Sequence, residues 1–299
     1  HGKVVGHCVP RDETASSLAN MMVGSDVETV KREGAAPEFG KPLIEIRNLQ
    51  RPPATPFSIP LRGIDLTVRA GEIIGIAGVA GNGQGEFFEA VSGEAVQKSA
   101  DVVSLNGQDC GTKGISGRRL LGVGFVPEER LGHGAVPEMS LVDNALLTAF
   151  GQGLVKAGLV QRGKVRALAE EIIRRFAVKT PDADTAARSL SGGNLQKYIL
   201  GREACQSPRL LVASHPTWGV DVGSAVAIHQ ALVKLRDEGA AILLISEDLD
   251  ELYQLCHRMG AICNGRLSPL APASELSINQ LGQWMAGNFK AEEFADAAA

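Results

Sequence analysis

The sequence predicts an α/β fold in which strands and helices alternate around a mainly parallel sheet, with a separate helical subdomain set into it. Three observations lead there. Apolar runs of strand length recur between stretches of helix length, the strands end in Gly-rich or acidic turns, and residues 128–190 drop the alternation for mostly helical sequence.

Taken in order, strands at 43–47 and 64–68 precede the apolar run 73–77, after which a Gly-rich turn opens a helix at 86–91. Strands at 102–105 and 123–126 follow, and 123–126 leads into the helical insertion, whose clearest helix is 165–176. A helix at 195–205 returns the chain to a strand at 210–213 that ends in His-Pro-Thr. The helix 224–237, the strand 241–246 with its acidic turn, the helix 249–256 and the strand 260–263 complete the alternation. Ligands of such a sheet gather outside the carboxyl ends of its strands.

At 299 residues and 44% hydrophobic, the chain buries a sizeable core, and one large domain with appendages or two small ones fits. No apolar run approaches the roughly 18 residues of a membrane-spanning helix. A formal net charge of −4 offers no general basic surface, which argues against nucleic acid as the main partner. Five cysteines, at 8, 110, 205, 256 and 263, are an odd number without a CxxC pair. They argue against a disulfide framework and against a structural zinc site, and suit a reducing compartment. Cys256-His257 with Cys263 offers ligand types for a metal, but thiols of core and surface fit that spacing better. The chain opens on His1-Gly2-Lys3 without a signal sequence and reads as a cytoplasmic fragment of something longer.

A weak repeat bears on that reading. Gly2-Lys3-Val4 leads to Leu18-x-x-x-Met22-x-Gly24, and Gly265-Arg266-Leu267 leads to Leu281-x-x-x-Met285-x-Gly287, with 22 residues from first to last glycine in both. The segments read as the tails of two copies of one domain. On this reading residues 1–24 end a first copy, 25–42 form a polar Gly- and Pro-containing linker, 43–287 are a complete second copy, and 288–299 are a flexible tail. The helical subdomain spans about 128–205.

The segment most informative about chemistry is Leu190-Ser191-Gly192-Gly193-Asn194. Ser191 is suited to cap a helix, and two glycines let backbone N–H groups approach an anion closely at that helix's N-terminus. An ordinary capped helix after a Gly turn is the alternative. The order of the surrounding motifs decides for the first reading. The segment resembles LSGGQ, the signature motif of ATP-binding cassette (ABC) proteins, with Asn in the last place. Gly78-Val79-Ala80-Gly81-Asn82-Gly83-Gln84-Gly85-Glu86 resembles a P-loop, GxxxxGK[ST], in its glycines and its position after a strand. The strand 210–213 with Ser214-His215-Pro216-Thr217-Trp218-Gly219-Val220-Asp221 resembles the family's Walker B strand followed by D-E-P-T-x-G-L-D.

The resemblance also shows what is changed. Gln84 stands where the family has its phosphate-binding Lys, and Gly85 where a hydroxyl would hold Mg²⁺. An ion pair at ~4 Å is worth about 4 kcal/mol at an effective dielectric of about 20 before desolvation, so the loss of the Lys predicts a large loss of affinity. Glu86 puts a carboxylate in the first helical turn, where it satisfies the dipole that would otherwise attract phosphate. A Gly-rich turn that binds nothing remains the alternative. Ser214 replaces the magnesium-coordinating Asp and His215 the general-base Glu, which leaves phosphoryl transfer without its main electrostatic support. As a nucleophile–base pair, Ser214 and His215 are expected to fail, because neighbours on an extended segment point to opposite faces. Glu128, in Val126-Pro127-Glu128-Glu129-Arg130, occupies the Q-loop position, and Glu247 the switch position, where the family's His would contact the γ-phosphate. No catalytic position is intact and no metal ligand set is expected. Ser191, Gly192, Gly193 and the D-loop residue Asp221 are retained, and in this family they serve the site of the opposing domain.

Collinear over 43–287, the chain is similar to the second nucleotide-binding domain of a tandem ABC importer of the simple-sugar and nucleoside class, with VPEER and the Gly-Asn-Gly-Gln loop closer to nucleoside than to monosaccharide importers. The resemblance implies an ABC-type P-loop NTPase fold with an antiparallel β subdomain beside the parallel core. It implies ATP that is weakly bound or absent at the chain's own site, and Mg²⁺ without an anionic ligand there. The implied partners are a first nucleotide-binding domain of the same polypeptide, transmembrane permease subunits at the cytoplasmic face of the membrane and, indirectly, a solute-binding protein. The segment from Glu128 into the helical part, including Arg130, His133 and residues 141–147, is where the family touches its permease; a solvated loop and amphipathic helix is the alternative. A translation factor or DNA-repair cassette would need basic surfaces or a coiled-coil insertion, and neither is visible. A structural dimerisation module that never binds nucleotide is the more serious alternative.

Overall fold

The computed structural model describes Val9 and residues 39–289. The first-copy tail and linker expected over 1–42 and the tail over 288–299 therefore lie almost wholly outside the described residues. β1 (Pro42–Arg51) and β2 (Leu61–Arg69) form an antiparallel pair, β3 (Ile73–Ala77) enters the main sheet and feeds α1 (Gln84–Ser92), and β4 (Val103–Leu105) with β5 (Gln108–Asp109) returns to the flank of β1. Then α2 (Ile115–Leu120) leads to β6 (Val123–Val126). The insertion that follows carries α3 (Leu141–Ala149), a 3₁₀ turn at Phe150–Gln152, the hairpin of β7 (Val155–Lys156) and β8 (Leu159–Val160), and α4 (Arg162–Arg175). The chain returns through α5 (Gly192–Ala204), β9 (Leu210–Ser214), α6 (Val222–Asp237), β10 (Ala241–Ile245), α7 (Leu249–Leu255) and β11 (Arg258–Cys263), and closes with β12 (Arg266–Leu267), β13 (Ala271–Pro272) and α8 (Ile278–Met285).

The main sheet runs β12-β11-β3-β10-β9-β6. Its five strands from β11 to β6 are parallel, while β12 and β13 pair with β11 antiparallel. Strands buried on both faces read as unbroken apolar runs, and that is why 73–77, 210–213 and 241–245 carry no polar alternation. Successive side chains still go to opposite faces. Ile73, Leu211, Ala213, Ile242 and Leu244 face the core shared with α3–α7, and Ile74, Ile76, Leu210, Val212, Leu243 and Ile245 face the core shared with α1 and the antiparallel sheet. Gly75 in β3 permits close packing of α7, since a Cβ there would lie 2.6 Å from Cys256 Sγ.

The insertion is less helical than the sequence suggests. The Ala157-Gly158 turn between β7 and β8 has φ of +50° and +75°, the two positive values that a type I′ hairpin needs. The short helices α2 and α8 also escape the periodic reading. The helix expected at 195–205 starts three residues early, at Gly192, so both signature glycines are helical.

Candidate nucleotide-binding site and signature surface

The loop after β3 lies at the carboxyl edge of the parallel sheet and hands the chain to α1. Gly81 and Gly83 have φ of +79° and +112°, so the turn depends on glycine. Gln84 does not extend outward as a phosphate-binding side chain would. It folds back inside the loop, where its Oε1 accepts from Asn82 N–H at 3.1 Å and its Nε2 donates to Val79 C=O at 2.8 Å, and only 5% of it is exposed. A Cβ built on Gly78 would sit 2.5 Å from that Nε2, so the amide rests on the loop backbone itself. Asn82 ties the loop to the turn after β11: its Oδ1 accepts from Asn264 N–H at 3.0 Å and its C=O from Gly265 N–H at 2.9 Å. Glu86 does lie in the first turn of α1, and its Oε1 accepts from Ile59 N–H at 2.9 Å, holding the β1–β2 connection against the helix. Gly85 offers no hydroxyl and faces open space.

Ser214 ends β9, and His215, Glu128 and Glu247 follow β9, β6 and β10 at the same sheet edge. One expectation fails here. His215 leaves β9 with φ of +47°, and this left-handed turn breaks the strand alternation, bringing Ser214 Oγ within 3.1 Å of His215 Nδ1. Both side chains are buried, so the hydroxyl is closed to a substrate even though the pair does meet. His215 Nδ1 also lies 3.3 Å from Glu128 Oε2, joining the Q-loop position directly to the Walker B position, while His215 Nε2 is buried without a partner. A space of about 370 Å³ opens between His215, Thr217, Trp218, Gly219, Ser246 and Glu247.

Mg²⁺ requires near-octahedral oxygen ligation with carboxylates in the set. At the end of β9 stand a serine bonded to histidine and a histidine facing a glutamate, and among the described residues no group of three or more His, Cys, Asp or Glu side chains is placed to hold a metal. The residues present do not fit the ion.

Behind this edge lies a buried network that the sequence did not disclose. Glu251 on α7, 2% exposed, accepts from Thr217 Oγ1 at 2.7 Å, Ser246 Oγ at 2.7 Å and His229 Nε2 at 3.0 Å. Burial pushes its carboxyl up, but the hydrogen bonds from His229, Ser246 and Thr217 outweigh that and hold it below the usual glutamate value. The network fastens the turn after β9, α6 and the switch position to one another. Nothing in the spacing of these four residues announces it.

At the signature loop, Ser191 takes the N-cap position of α5, but its hydroxyl makes no capping bond. It accepts instead from Asn194 Nδ2 at 2.9 Å, while Asn194 Oδ1 accepts from Lys179 N–H at 2.8 Å. The Asn in the last place of the motif thus braces the loop against the helical insertion and leaves the first N–H groups of α5 uncapped by any side chain. Gly193 packs on the D-loop: a Cβ there would lie 2.8 Å from Ser224 Oγ and 2.9 Å from Asp221 Oδ2. Asp221 caps α6 through Ser224 N–H at 2.9 Å and Ser224 Oγ at 2.7 Å, and these bonds hold its carboxyl low.

Arg130 and His133, grouped by the resemblance as permease-facing, go to different places. The Arg130 guanidinium lies against the signature and D-loops; a Cβ on Gly192 would come within 2.7 Å of its Nη1 and one on Gly219 within 3.5 Å of its Nη2. His133 lies in a groove of about 340 Å³ with Phe88, Ile115, Phe125 and Leu147, and pairs with Glu94 at 2.9 Å. Under the groove, Glu203 on α5 is buried between Arg119 and Arg202.

The sequence and the fold are matched by known proteins. The ABC transporter family model covers residues 61–218. The chain belongs to the ABC transporter family. Among its relatives are the guanosine import ATP-binding protein NupO of Bacillus subtilis, 36% identical over 294 residues that make up 97% of this chain and 57% of the relative, and the glucose import ATP-binding protein TsgD13 of Haloferax volcanii, 38% identical over 302 residues, 99% of this chain and 54% of the relative. The chain therefore spans about half the length of the curated relatives it matches. A solved ATP-binding subunit of an ABC transporter superposes with a TM-score of 0.66 at 20% identity, covering 82% of this chain and 99% of that one, which shows the ABC ATPase P-loop fold. Among the described residues no helix is long and apolar enough to cross a membrane.

Proposed function

We propose that this chain is the second, degenerate cassette of a tandem importer ATP-binding protein of the simple-sugar and nucleoside class, and that it acts through its signature loop rather than through its own nucleotide pocket. The observation that carries this reading is Gln84. Its amide fills the loop that would cradle phosphate and spends the Asn82 N–H internally. Ser214, His215 and Glu247 leave the site without a fitting metal set or a cationic phosphate clamp, and with histidine in place of a carboxylate at the general-base position. Ser191, Gly192, Gly193, Asn194 and Asp221 keep the features that serve an opposing site.

The partner is then a first cassette of the same polypeptide, a reading supported by relatives of about twice this length and by the repeated glycine-to-glycine spacing. ATP held by that cassette closes the pair. Closure is passed to permease subunits at the cytoplasmic face of the membrane through the groove of Phe88, His133 and Leu147, and a solute-binding protein acts upstream. Import of a nucleoside is the first reading and of a monosaccharide the second, since relatives named for guanosine and for glucose stand at similar identity.

Calorimetric titration of the purified chain with Mg-ATP tests the core of this. No heat at millimolar ATP is the expected result. Micromolar binding would overturn the closed-loop reading and assign a nucleotide-holding role to the pocket.

A further inference from the structure

We infer that Arg130 is a phosphate-contacting residue that this cassette contributes in trans, beside its signature loop, to the nucleotide held by the opposing cassette. The inference rests on the reading proposed above.

Arg130 leaves the loop after β6 and crosses to the N-terminus of α5. Its Nε donates to Gln196 Oε1 at 3.1 Å, and Gln196 is 1% exposed, so the head is held from behind by a buried residue of the signature helix. Its two Nη groups lie over Gly192 and Gly219, where only the absence of side chains leaves room for them. Among the described residues no carboxylate pairs with Arg130 and neither Nη group meets an acceptor. Half-burial disfavours the charged guanidinium, so the position is costly as it stands. A cation held in that way, with donors unspent, is matched to an arriving anion.

Two further features at the same spot have the same sign. The first N–H groups of α5 carry no side-chain cap, because Asn194 occupies the Ser191 hydroxyl. The Nε2 of Gln196, beside the guanidinium, is a buried donor with no partner. The uncapped helix start and the unpaired guanidinium meet at the signature loop with the buried orphan amide behind them, and Asp221, packed against Gly193, is spent on Ser224. The matching ligand is a group with several charged oxygens in fixed geometry, a phosphoryl group, which a guanidinium binds through parallel N–H···O bonds. The chain's own loop is filled by Gln84, so the phosphoryl group comes from another cassette.

A bulky residue at Gly192 would displace the guanidinium and block the loop together, so the two roles are tested by separate substitutions. In the complete protein carrying both cassettes, assembled with its permease, steady-state ATPase activity is measured for Arg130→Gln, Arg130→Lys, Arg130→Ala and Ser191→Arg. The expected result for Arg130→Gln is a fall in kcat of about 10- to 1,000-fold with KM for ATP changed far less. Arg130→Lys recovers part of the rate, and free guanidinium ion restores turnover to Arg130→Ala, which a merely structural role would not allow. Wild-type kcat in Arg130→Gln alongside a dead Ser191→Arg would overturn the inference and leave the trans reading standing. Wild-type turnover in Ser191→Arg would overturn the trans reading itself. Loss of activity that is equal in all three Arg130 variants and unresponsive to guanidinium would reduce Arg130 to a packing residue.

Discussion

Replacing Gln84 tests whether its folded-back amide is what keeps nucleotide out. The side chain makes two buried bonds inside its own loop, to Asn82 N–H and Val79 C=O. At about 1 kcal/mol net each, a phosphate entering the loop must displace about 2 kcal/mol of internal bonding, a handicap of roughly 30-fold in Kd. Gln84→Ala removes the obstruction without adding charge. It is expected to tighten ATP binding by up to about 30-fold and to lower stability by about 1–2 kcal/mol. Gln84→Lys also supplies a cation whose attraction for phosphate is about 4 kcal/mol at an effective dielectric of about 20, part of which desolvation takes back. A gain of ~100-fold or more over the native chain is expected. Gly78→Ala is a useful third variant, because a Cβ there meets the Gln84 Nε2 at 2.5 Å and would expel the amide with no change at position 84. Calorimetry with ATP, with and without Mg²⁺, reads all three. The reasoning is refuted if the native chain already binds at micromolar ATP, or if neither position 84 variant binds more tightly than it does.

Glu203→Gln leaves the buried Arg202 and the partly buried Arg119 without their shared counter-charge, and should cost about 3–5 kcal/mol, a fall in melting temperature on the order of 10 °C by calorimetric scan. The carboxyls of Glu203 and Glu251 both lie below their ordinary range despite burial, Glu203 through Arg119 and Arg202 and Glu251 through its three donors. The unfolded chain therefore binds more protons, and the stability they contribute is full above the ordinary carboxylate range and is lost as pH falls through their lowered values. Denaturation midpoints should hold from neutrality to about pH 5 and drop below it, and His229→Ala should lower the midpoint at neutral pH and make the drop smaller. Glu128→Gln breaks the contact with His215, but the Glu128 side chain is 60% exposed, so urea denaturation should show a change within about 0.5 kcal/mol.

The sequence by itself determined the fold and marked the positions of a candidate site. Apolar runs of strand length bounded by Gly-rich or acidic turns read as strands covered on both faces, so the loop at 78–86 was legible from type and spacing, while the resemblance to the family's motifs marked the signature at 191–194 and the altered residues at 84, 214, 215 and 247. Tertiary structure decided where side chains went once backbone dihedrals and distant neighbours entered. A positive φ at His215 turned two residues expected on opposite faces into hydrogen-bonded partners. Asn194 took the Ser191 hydroxyl from its capping role, because Lys179 lay within reach. Thr217, His229, Ser246 and Glu251 were joined across four segments, and Arg130 was carried to Gly192, 62 residues away in the chain. Local sequence encodes propensity and period; which donor meets which acceptor is set by packing between segments that sequence order keeps apart.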